Sequence, residues 1–445
     1  MEGNIAIGLD IGTTKIVAMI GRKNEYGKVE ILGIGKSKSL GVHRGVVNNI
    51  TQTIQSIQLA VQEAELASEL KIQDVTVGIA GQHIRSLQHS DYITRPNSDL
   101  VIDEDDIDRL INQVHKLVML PGEEIIHVLP QEYKVDGQAE IKEPIGMYGG
   151  RLEANFHVVV GQVSSIRNIG RCVKSAGLSL SDITLEPLAS ASAVLSQEEK
   201  EAGVALIDIG GGTTDLAIFK DGIIRHTAVI PFGGNAVTKD IREGCTVMMD
   251  QAEKLKVKFG SAMAEEIYDN RIITIPGFKG REHKEISEKN LSRIIQARVE
   301  EIFDYVLWEI RRSGYENKLI AGIVLTGGGS LLKHINILAE YHTGLSARVG
   351  KPVEHLAHGY STQLASPIYA TAVGLLKNTI ENMNDRSFVE NMGQESPETT
   401  DMDQEGKDEN EEIQDVEKNK KGNRFFNKFY TLTKEFFEAT PDSEF

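Results

Sequence analysis

Two copies of one short glycine- and threonine-rich phrase, far apart in the chain, constrain the fold more than any other feature. The first, DIGTTK at residues 10–15, follows the apolar run 5–9. The second, DIGGGTTD at residues 208–215, follows the apolar run 204–207. Each phrase is typical of a buried strand, an acid, a tight turn and a second strand. Such a glycine turn lets backbone N–H groups approach phosphate oxygens, and threonine hydroxyls add donors. The duplication therefore predicts two related halves, each with one phosphate-binding turn.

The acids at the ends of the two strands, Asp10 and Asp208, indicate that a cation is involved. A carboxylate repels phosphate unless a cation lies between them. Two such turns opposed across a cleft therefore predict a magnesium nucleotide, with both acids holding the metal through water. An ordinary glycine turn that closes a hairpin is the alternative for either copy alone. The predicted phosphate-binding residues are Gly12, Thr13, Thr14, Lys15, Gly210, Gly211, Gly212, Thr213 and Thr214.

Other candidate nucleotide-binding residues surround these turns. Lys15 suits a point charge for the outer phosphates, although a surface strand lysine would look the same in sequence. Glu253 and Lys256, on a predicted helix, would bind ribose hydroxyls or pack on the base, and a generic surface charge pair is the alternative. A third glycine run would let a sugar or base lie against bare backbone; it comprises Gly327, Gly328, Gly329 and Ser330.

The candidate catalytic residues are Glu186 and Asp208. Glu186 lies between a predicted strand at 182–185 and a small-residue helix at 187–195. From that position a carboxylate can orient or deprotonate a water that attacks phosphate. The alternative is an acid that the helix dipole favours at a helix N-terminus. The sequence leaves open whether the nucleotide is hydrolysed at more than a slow rate.

The 445 residues exceed the usual size of one core, so several domains are expected. In residues 83–162 the pattern of apolar residues differs from that of the flanking segments. This change predicts a small strand-helix-strand-strand insert. The predicted division is 1–82 with 163–196 as the first half, 83–162 as the insert, 197–234 with 316–382 as the second half, 235–315 as a helical subdomain at the cleft, 383–422 as a disordered linker and 423–438 as an amphipathic helix.

The net charge of −17 arises largely in the predicted linker. Residues 395–417 hold eleven acids against Lys407, which accounts for −10 of the total. The rest of the chain is mildly acidic and has no basic stripe, which argues against nucleic acid as a partner. The low content of apolar residues after 383 predicts a solvated linker.

The segment 424–437 predicts a membrane-binding helix. Its apolar side chains recur at helical spacing and form one stripe, preceded by a cluster of basic residues. Fourteen residues span roughly 21 Å as a helix, too short to cross a bilayer but suited to lie in an anionic lipid surface. Docking of this helix on the protein's own core is the alternative. The predicted membrane-contacting residues are Arg424, Phe425, Phe426, Lys428, Phe429, Leu432, Phe436 and Phe437.

The order of five motifs resembles the superfamily of actin, sugar kinases and heat-shock chaperone ATPases. The motifs are DIGTTK, LEPLASASAVL, DIGGGTTD, TGGGSLL and SPIYATAVGLL. Within that superfamily, the chain from Asn4 to about Leu376 resembles the FtsA family of bacterial cell-division proteins. The position of the insert, its entry phrase DVTVGIAGQHI and the charged linker with an amphipathic end are also similar to that family.

The resemblance implies an α/β, bilobed, actin-like ATPase fold made of duplicated ribonuclease-H-like domains, with the insert and a disordered tail. It implies ATP and Mg²⁺ in a site that includes Asp10, Lys15, Asp208, Thr213, Thr214 and Gly328. It also implies self-assembly into filaments that tether the tubulin-like protein FtsZ to the cytoplasmic face of the cell membrane at the division septum. The FtsZ C-terminal peptide would bind at 235–315, and later division proteins would be recruited.

Three alternatives come from the same superfamily. A metabolite kinase would need an acid placed against an acceptor hydroxyl, and the sequence singles out none. A chaperone would need a β-rich peptide-binding domain, for which the chain after residue 382 is too short. A pilus-assembly factor would have no terminal amphipathic helix. The FtsA-like function is therefore favoured.

Overall fold

The computed structural model describes residues 5–276, 282–357, 359 and 362–392. The described residues up to 380 form one compact unit, and those from 381 onward belong to a second. The predicted membrane-targeting helix at 423–438 and most of the predicted linker lie outside the described residues. Across the ranges that are described, no helix combines the length and apolarity needed to span a membrane.

The first part of the chain forms a hairpin, a third strand and a helix that returns to the same sheet. Its elements are β1 (Ala6–Ile11), β2 (Lys15–Lys23), β3 (Val29–Lys38), β4 (Val42–His43), β5 (Val46–Val47), α1 (Ile50–Ser68) and β6 (Asp74–Ile79). The α1 helix begins where the Asn49 side chain accepts a hydrogen bond from the Gln52 backbone N–H, as expected for an N-cap residue.

The insert is a four-stranded antiparallel sheet with one helix packed on it. Its elements are β7 (Ile84–Thr94), α2 (Glu104–Val114), β8 (Glu123–Val135), β9 (Gln138–Ile141) and β10 (Arg151–Gln162), and the strand order is β7-β10-β8-β9. The short strand β9 was not predicted. It follows the dipeptide Asp136–Gly137, which is typical of a tight hairpin turn.

The chain then completes the first half. The elements are α3 (Val163–Ser175), β11 (Ser179–Leu185), α4 (Glu186–Val194) and α5 (Gln197–Ala202). The first five-stranded sheet has the order β3-β2-β1-β6-β11.

The second half contains a second five-stranded sheet. Its elements are β12 (Val204–Ile209), β13 (Thr214–Lys220), β14 (Ile223–Ile230), α6 (Gly234–Cys245), α7 (Met249–Phe259), β15 (Ile272–Ile275), β16 (Lys284–Ser287), α8 (Glu288–Ser313), β17 (Ile323–Thr326), α9 (Ile335–Thr343), β18 (Ala347–Val349) and α10 (Ala370–Met392). Short 3-10 turns occur at Glu316–Lys318, Gly328–Leu331, Thr362–Ala365 and Pro367–Tyr369.

The two large sheets repeat one topology. The second has the order β14-β13-β12-β17-β18, which matches the first sheet strand for strand. In each, an antiparallel hairpin is followed by parallel strands added next to its first strand. Separate apolar clusters form the cores of the first half, the second half and the insert. The duplicated α/β fold, predicted from the paired motifs, and the inserted sheet, predicted from the changed pattern of residues 83–162, are confirmed.

The last helix ends later than predicted. The composition places the linker from residue 383, whereas α10 continues to Met392. Polar residues replace apolar ones in this stretch, but it contains neither glycine nor proline before Gly393. A loss of hydrophobicity alone does not end a helix, and a glycine frequently does.

Candidate functional site

The two glycine-threonine turns meet at the centre of the unit formed by residues 1–380. The turn between β1 and β2 contacts the turn between β12 and β13, and a Cβ atom added at Gly211 would collide with the Thr14 side chain. The backbone N–H of Gly45, in the turn between β4 and β5, donates a hydrogen bond of 3.2 Å to Thr13 Oγ1. Glycine at position 211 is therefore required by the close approach of the turns.

A cleft opens at this junction, with an empty volume of about 540 Å³ that includes its open mouth. Nearly all of the predicted phosphate-binding residues line it. The lining consists of Asp10, Ile11, Gly12, Thr13, Thr14, Lys15, Gly45, Ala80, Glu186, Asp208, Gly210, Gly211, Gly212, Thr213, Asp215, Gly327, Gly328, Ile368 and Thr371. The fold thus brings residues that are far apart in sequence into one cleft, as expected if the two turns oppose each other.

Asp208 is held in place by both neighbouring helices. Its Oδ2 atom accepts hydrogen bonds from Ser190 Oγ of α4 at 2.7 Å and from Thr371 Oγ1 of α10 at 3.4 Å. On the other side lies Gly327, which has a φ of +79° and where an added Cβ atom would collide with Asp208 Oδ1. Only glycine adopts that backbone readily and leaves space for the carboxylate.

Three buried carboxylates, Asp10, Asp208 and Asp215, share the cleft with the partly buried Glu186, and the pKa values of all four are raised. Burial raises the pKa of Asp10 and of Asp208. Burial, and then the nearby charges of Asp10, Asp215 and Asp208, raise the pKa of Glu186 well above its usual range. Burial and the charge of Asp208 raise the pKa of Asp215 to about 8. The site therefore carries more carboxylates than its surroundings can stabilise in the charged form.

Lys15 offsets part of this charge. Among the described residues that line the cleft it is the single cationic side chain, and its Nζ lies 3.6 Å from Asp10 Oδ2. In the described part of the chain, Asp215 Oδ1 is buried with no hydrogen-bond partner, while Asp215 Oδ2 accepts a hydrogen bond from Thr213. An unpartnered buried carboxylate oxygen favours a cation or a water-held cation nearby.

Replacing Asp215 with asparagine is expected to stabilise the ligand-free protein more at pH 8 than at pH 5. The pKa of the Asp215 carboxyl is 3.8 in the unfolded chain and is raised to about 8 in the folded protein. Between these values the folded state keeps a proton that the unfolded state releases, so the free energy of unfolding falls as the pH rises. The gain from Asp215→Asn should be about 2–4 kcal/mol larger at pH 8. Thermal unfolding without nucleotide or magnesium measures it, and an equal gain at both pH values would contradict the prediction.

Several predicted residues lie outside the cleft. Thr214 is fully buried, and its Oγ1 donates to the Phe232 carbonyl, because consecutive residues of a strand point to opposite faces. Lys256 Nζ donates to the Gly234 carbonyl at 2.9 Å and lies 2.8 Å from Glu253 Oε2, so this pair joins α7 to the start of α6. Thr214, Glu253 and Lys256 therefore support neighbouring elements and do not line the cleft.

The third glycine run is divided between the cleft and the interior. Gly327 and Gly328 line the cleft. Gly329 packs against Ile209, and Ser330 is buried with its Oγ donating to the Gly327 carbonyl at 2.8 Å. A 3-10 turn at Gly328–Leu331 directs Gly329 and Ser330 away from the cleft.

The sequence reasoning missed lining residues that belong to no glycine turn. Asp215 lies directly opposite Asp208 in the second hairpin, whereas the matching position opposite Asp10 is Val17. A comparison of the two motifs therefore gives no sign of this acid, although the sequence of the second motif contains it. Thr371 also lines the cleft, whereas Ser190 holds Asp208 without lining it. Each is a small polar residue with only a general signal in the sequence.

Solved structures share this architecture at low sequence identity. PilM in the PilM–PilN type IV pilus biogenesis complex superposes with a TM-score of 0.62 at 16% identity, covering 84% of this chain and 98% of that one. MreB5 of Spiroplasma citri bound to ADP gives a TM-score of 0.52 at 16% identity, covering 88% and 100%. These likenesses concern the fold alone. The duplicated sheets and the turns between them define a protein of the actin-like ATPase fold.

Two family models match the chain, one described as cell division protein FtsA over residues 205–374 and one as the SHS2 domain inserted in FtsA over residues 81–160. Proteins named cell division protein FtsA from Pseudomonas aeruginosa and Escherichia coli K12 are 42% and 32% identical to it, and the chain therefore belongs to the FtsA family. The first alignment covers 86% of this chain and 91% of the relative, and the second covers 84% and 90%.

Proposed function

We propose that this chain binds ATP with magnesium in the cleft, assembles into actin-like filaments and tethers FtsZ filaments to the cytoplasmic face of the cell membrane at the septum. The supporting observation is the cleft itself, where two glycine-threonine turns from equivalent sheets meet beside four carboxylates. Because the relatives are named as cell-division proteins, this function is favoured over that of a metabolite kinase.

The donor set suits a magnesium ion held through water. Within the described ranges, no group of three or more His, Cys, Asp or Glu side chains is spaced to chelate a metal directly. A bound cation would nevertheless give the unpartnered Asp215 Oδ1 a partner, and it would lower the raised pKa values of Asp10 and Asp208. Magnesium bound there would neutralise charge between these carboxylates and phosphate oxygens. Glu186 is placed to orient a water, and hydrolysis is at most slow on this proposal.

Nucleotide binding requires the cleft to open. Gly211 and Thr14 are in contact, so phosphates can lie between the turns only if the turns separate. Once bound, the phosphates accept hydrogen bonds from both turns and hold the two halves in one arrangement. A population shift of this kind suits a filament subunit, since it needs no turnover.

The terminal segment provides the membrane attachment on this proposal. Six apolar side chains on one stripe of residues 424–437 would give on the order of 9–18 kcal/mol if fully buried. Partial insertion and the ordering of the helix reduce this value greatly, so one tail binds weakly. Many tails on one filament bind far more strongly, because attachment of the first raises the effective concentration of the others.

The partners follow from the family and from the division of the chain given above, which forms part of the proposal. The FtsZ C-terminal peptide would bind the subdomain at 235–315. There, α8 exposes Tyr305 and Trp308, with the Arg312 guanidinium 5.0 Å from the Trp308 ring centroid. Exposed aromatic and arginine side chains are enriched at interfaces. Later division proteins would join the assembled filament.

The proposal is tested with the full-length protein in three binding measurements. A fluorescent ATP analogue should bind with Mg²⁺ and lose most of its affinity in EDTA. A peptide of the FtsZ C-terminus should bind in fluorescence anisotropy, and its scrambled sequence should not. Liposomes containing anionic lipid should pellet the protein. Phosphorylation of small metabolites without peptide binding would instead identify a kinase and overturn the proposal.

A further inference from the structure

Strand β8 of the insert contacts both halves of the main unit. On the first half, His127 Nε2 accepts a hydrogen bond of 3.0 Å from the backbone N–H of Leu185. Leu185 ends β11 and directly precedes Glu186, the first residue of α4 and a lining residue of the cleft. The position of His127 thus fixes the backbone from which Glu186 enters the cleft.

On the second half, β8 contacts the edge strand β14. The buried Gln131 side chain donates from Nε2 to the Ile224 carbonyl at 2.6 Å and to the Arg225 carbonyl at 3.3 Å. Gln131 is four residues from His127 on the same strand. Further bonds along this contact join Ser86 Oγ to the Thr227 carbonyl, Gln88 Nε2 to the Arg225 carbonyl, His157 Nε2 to Thr227 Oγ1 and Arg225 Nη1 to Glu132 Oε1.

The chain that follows β14 packs against the second phosphate-binding turn, at residues 210–213. Two residues beyond its end lies Phe232, whose carbonyl accepts the Thr214 hydroxyl at 2.9 Å and whose ring lies beneath the Arg44 guanidinium. Next, the Gly234 backbone N–H donates to the Gly210 carbonyl at 2.9 Å. A displacement of β14 is therefore carried into the turn at 210–213 by hydrogen bonds.

We propose that His127 and Gln131 are positioning residues of the nucleotide cleft, and that the insert ties its two sides together and limits how far they open. This inference rests on the proposed function, since it assigns regulation to the same site. An opening that moves β14 away from α4 must either break the bonds between the insert and β14, of which Gln131 supplies two, or move the insert. A ligand that holds the insert in the closed arrangement then tightens nucleotide binding, and by linkage the nucleotide tightens binding of that ligand by the same factor.

The test compares Gln131→Met, which keeps the side-chain length and removes the donor, with Gln113→Met. Gln113 is the control inside the insert, where its exposed amide donates to Asp91 Oδ1 at 2.8 Å and to the Tyr92 carbonyl at 3.2 Å. Dissociation of a fluorescent ATP analogue from the full-length protein should be about five- to tenfold faster in Gln131→Met, the effect of losing one or two net hydrogen bonds. It should be unchanged in Gln113→Met.

Hydrogen exchange with and without ATP separates positioning from general destabilisation. In the wild type and in Gln113→Met, nucleotide should slow amide exchange in both β14 and β8. In Gln131→Met it should slow exchange in β14 alone. Equal dissociation rates and equal protection in the two variants would overturn the inference. A wild-type protein that binds no nucleotide would overturn the proposed function and this inference with it.

Discussion

Loss of the Asp208 carboxylate is expected to reduce Mg·ATP affinity by at least about 100-fold, the largest effect of any single change in the cleft. The carboxylate is buried and is held by Ser190 and Thr371. On the proposed function it holds magnesium through water. In Asp208→Asn the shape remains and the charge is lost, so affinity for metal-free ATP should not fall, because a carboxylate repels phosphate when no cation lies between them. In Asp208→Ala the two hydroxyls also lose their acceptor, at a cost of about 1–3 kcal/mol in stability.

Isothermal titration of the two variants, with Mg²⁺ and with EDTA, measures these effects. Pelleting of filaments should fall together with Mg·ATP binding, because nucleotide holds the two halves in the assembling arrangement. Asp250→Asn is the control, since Asp250 is an exposed acid in the first turn of α7. Wild-type Mg·ATP affinity in Asp208→Asn would remove Asp208 from the site.

Removal of residues 424–437 is expected to abolish binding to liposomes that contain anionic lipid. The six apolar side chains of the stripe and the adjacent basic residues supply the attraction in this proposal. Placing charge in the stripe should act in the same way, and Phe429→Asp together with Phe436→Asp is expected to weaken binding by about 100-fold or more. Co-sedimentation with sucrose-loaded liposomes measures the bound fraction.

The matched control for the tail is Thr431→Asp. At 100° per residue, position 431 falls on the side of the helix opposite the stripe, so a charge there should stay in water. Nucleotide affinity should be unchanged in all the tail variants. Equal loss of liposome binding in the control and in the double variant would show that net charge, and not the apolar stripe, determines attachment.

The sequence predicted the duplicated fold because the duplicated motif depends on local chemistry. Strand, acid and glycine turn follow one another within a few residues, so the motif can be recognised without knowledge of the rest of the chain. The helix α1, for example, follows from its Asn49 cap and its buried spacing. The insert was predicted from a change in the pattern of apolar residues, and only its short edge strand β9 escaped notice.

It was harder to predict which residues line the site, because this depends on the direction in which each side chain points. Thr213 and Thr214 are neighbours with the same side chain, yet only Thr213 lines the cleft. Lys256 and Glu253 lie on a helix near the site but bond to α6 instead of the cleft. Asp215 lines the site through cross-strand pairing with Asp208. Side-chain direction and cross-strand register are set by the assembled sheet, so motif spacing does not report them.

The polar contact between the insert and β14 also bears on solubility. An edge strand with unpaired backbone groups is a template for addition of a foreign strand and hence for aggregation. Side chains of the insert occupy successive carbonyls of β14, at Ile224, Arg225 and Thr227. A chain shortened by excision of 83–162 would uncover that edge, so its insolubility would say nothing about whether the excised piece recruits partners. Side-chain replacements along β8 are therefore the better probe of what the insert does.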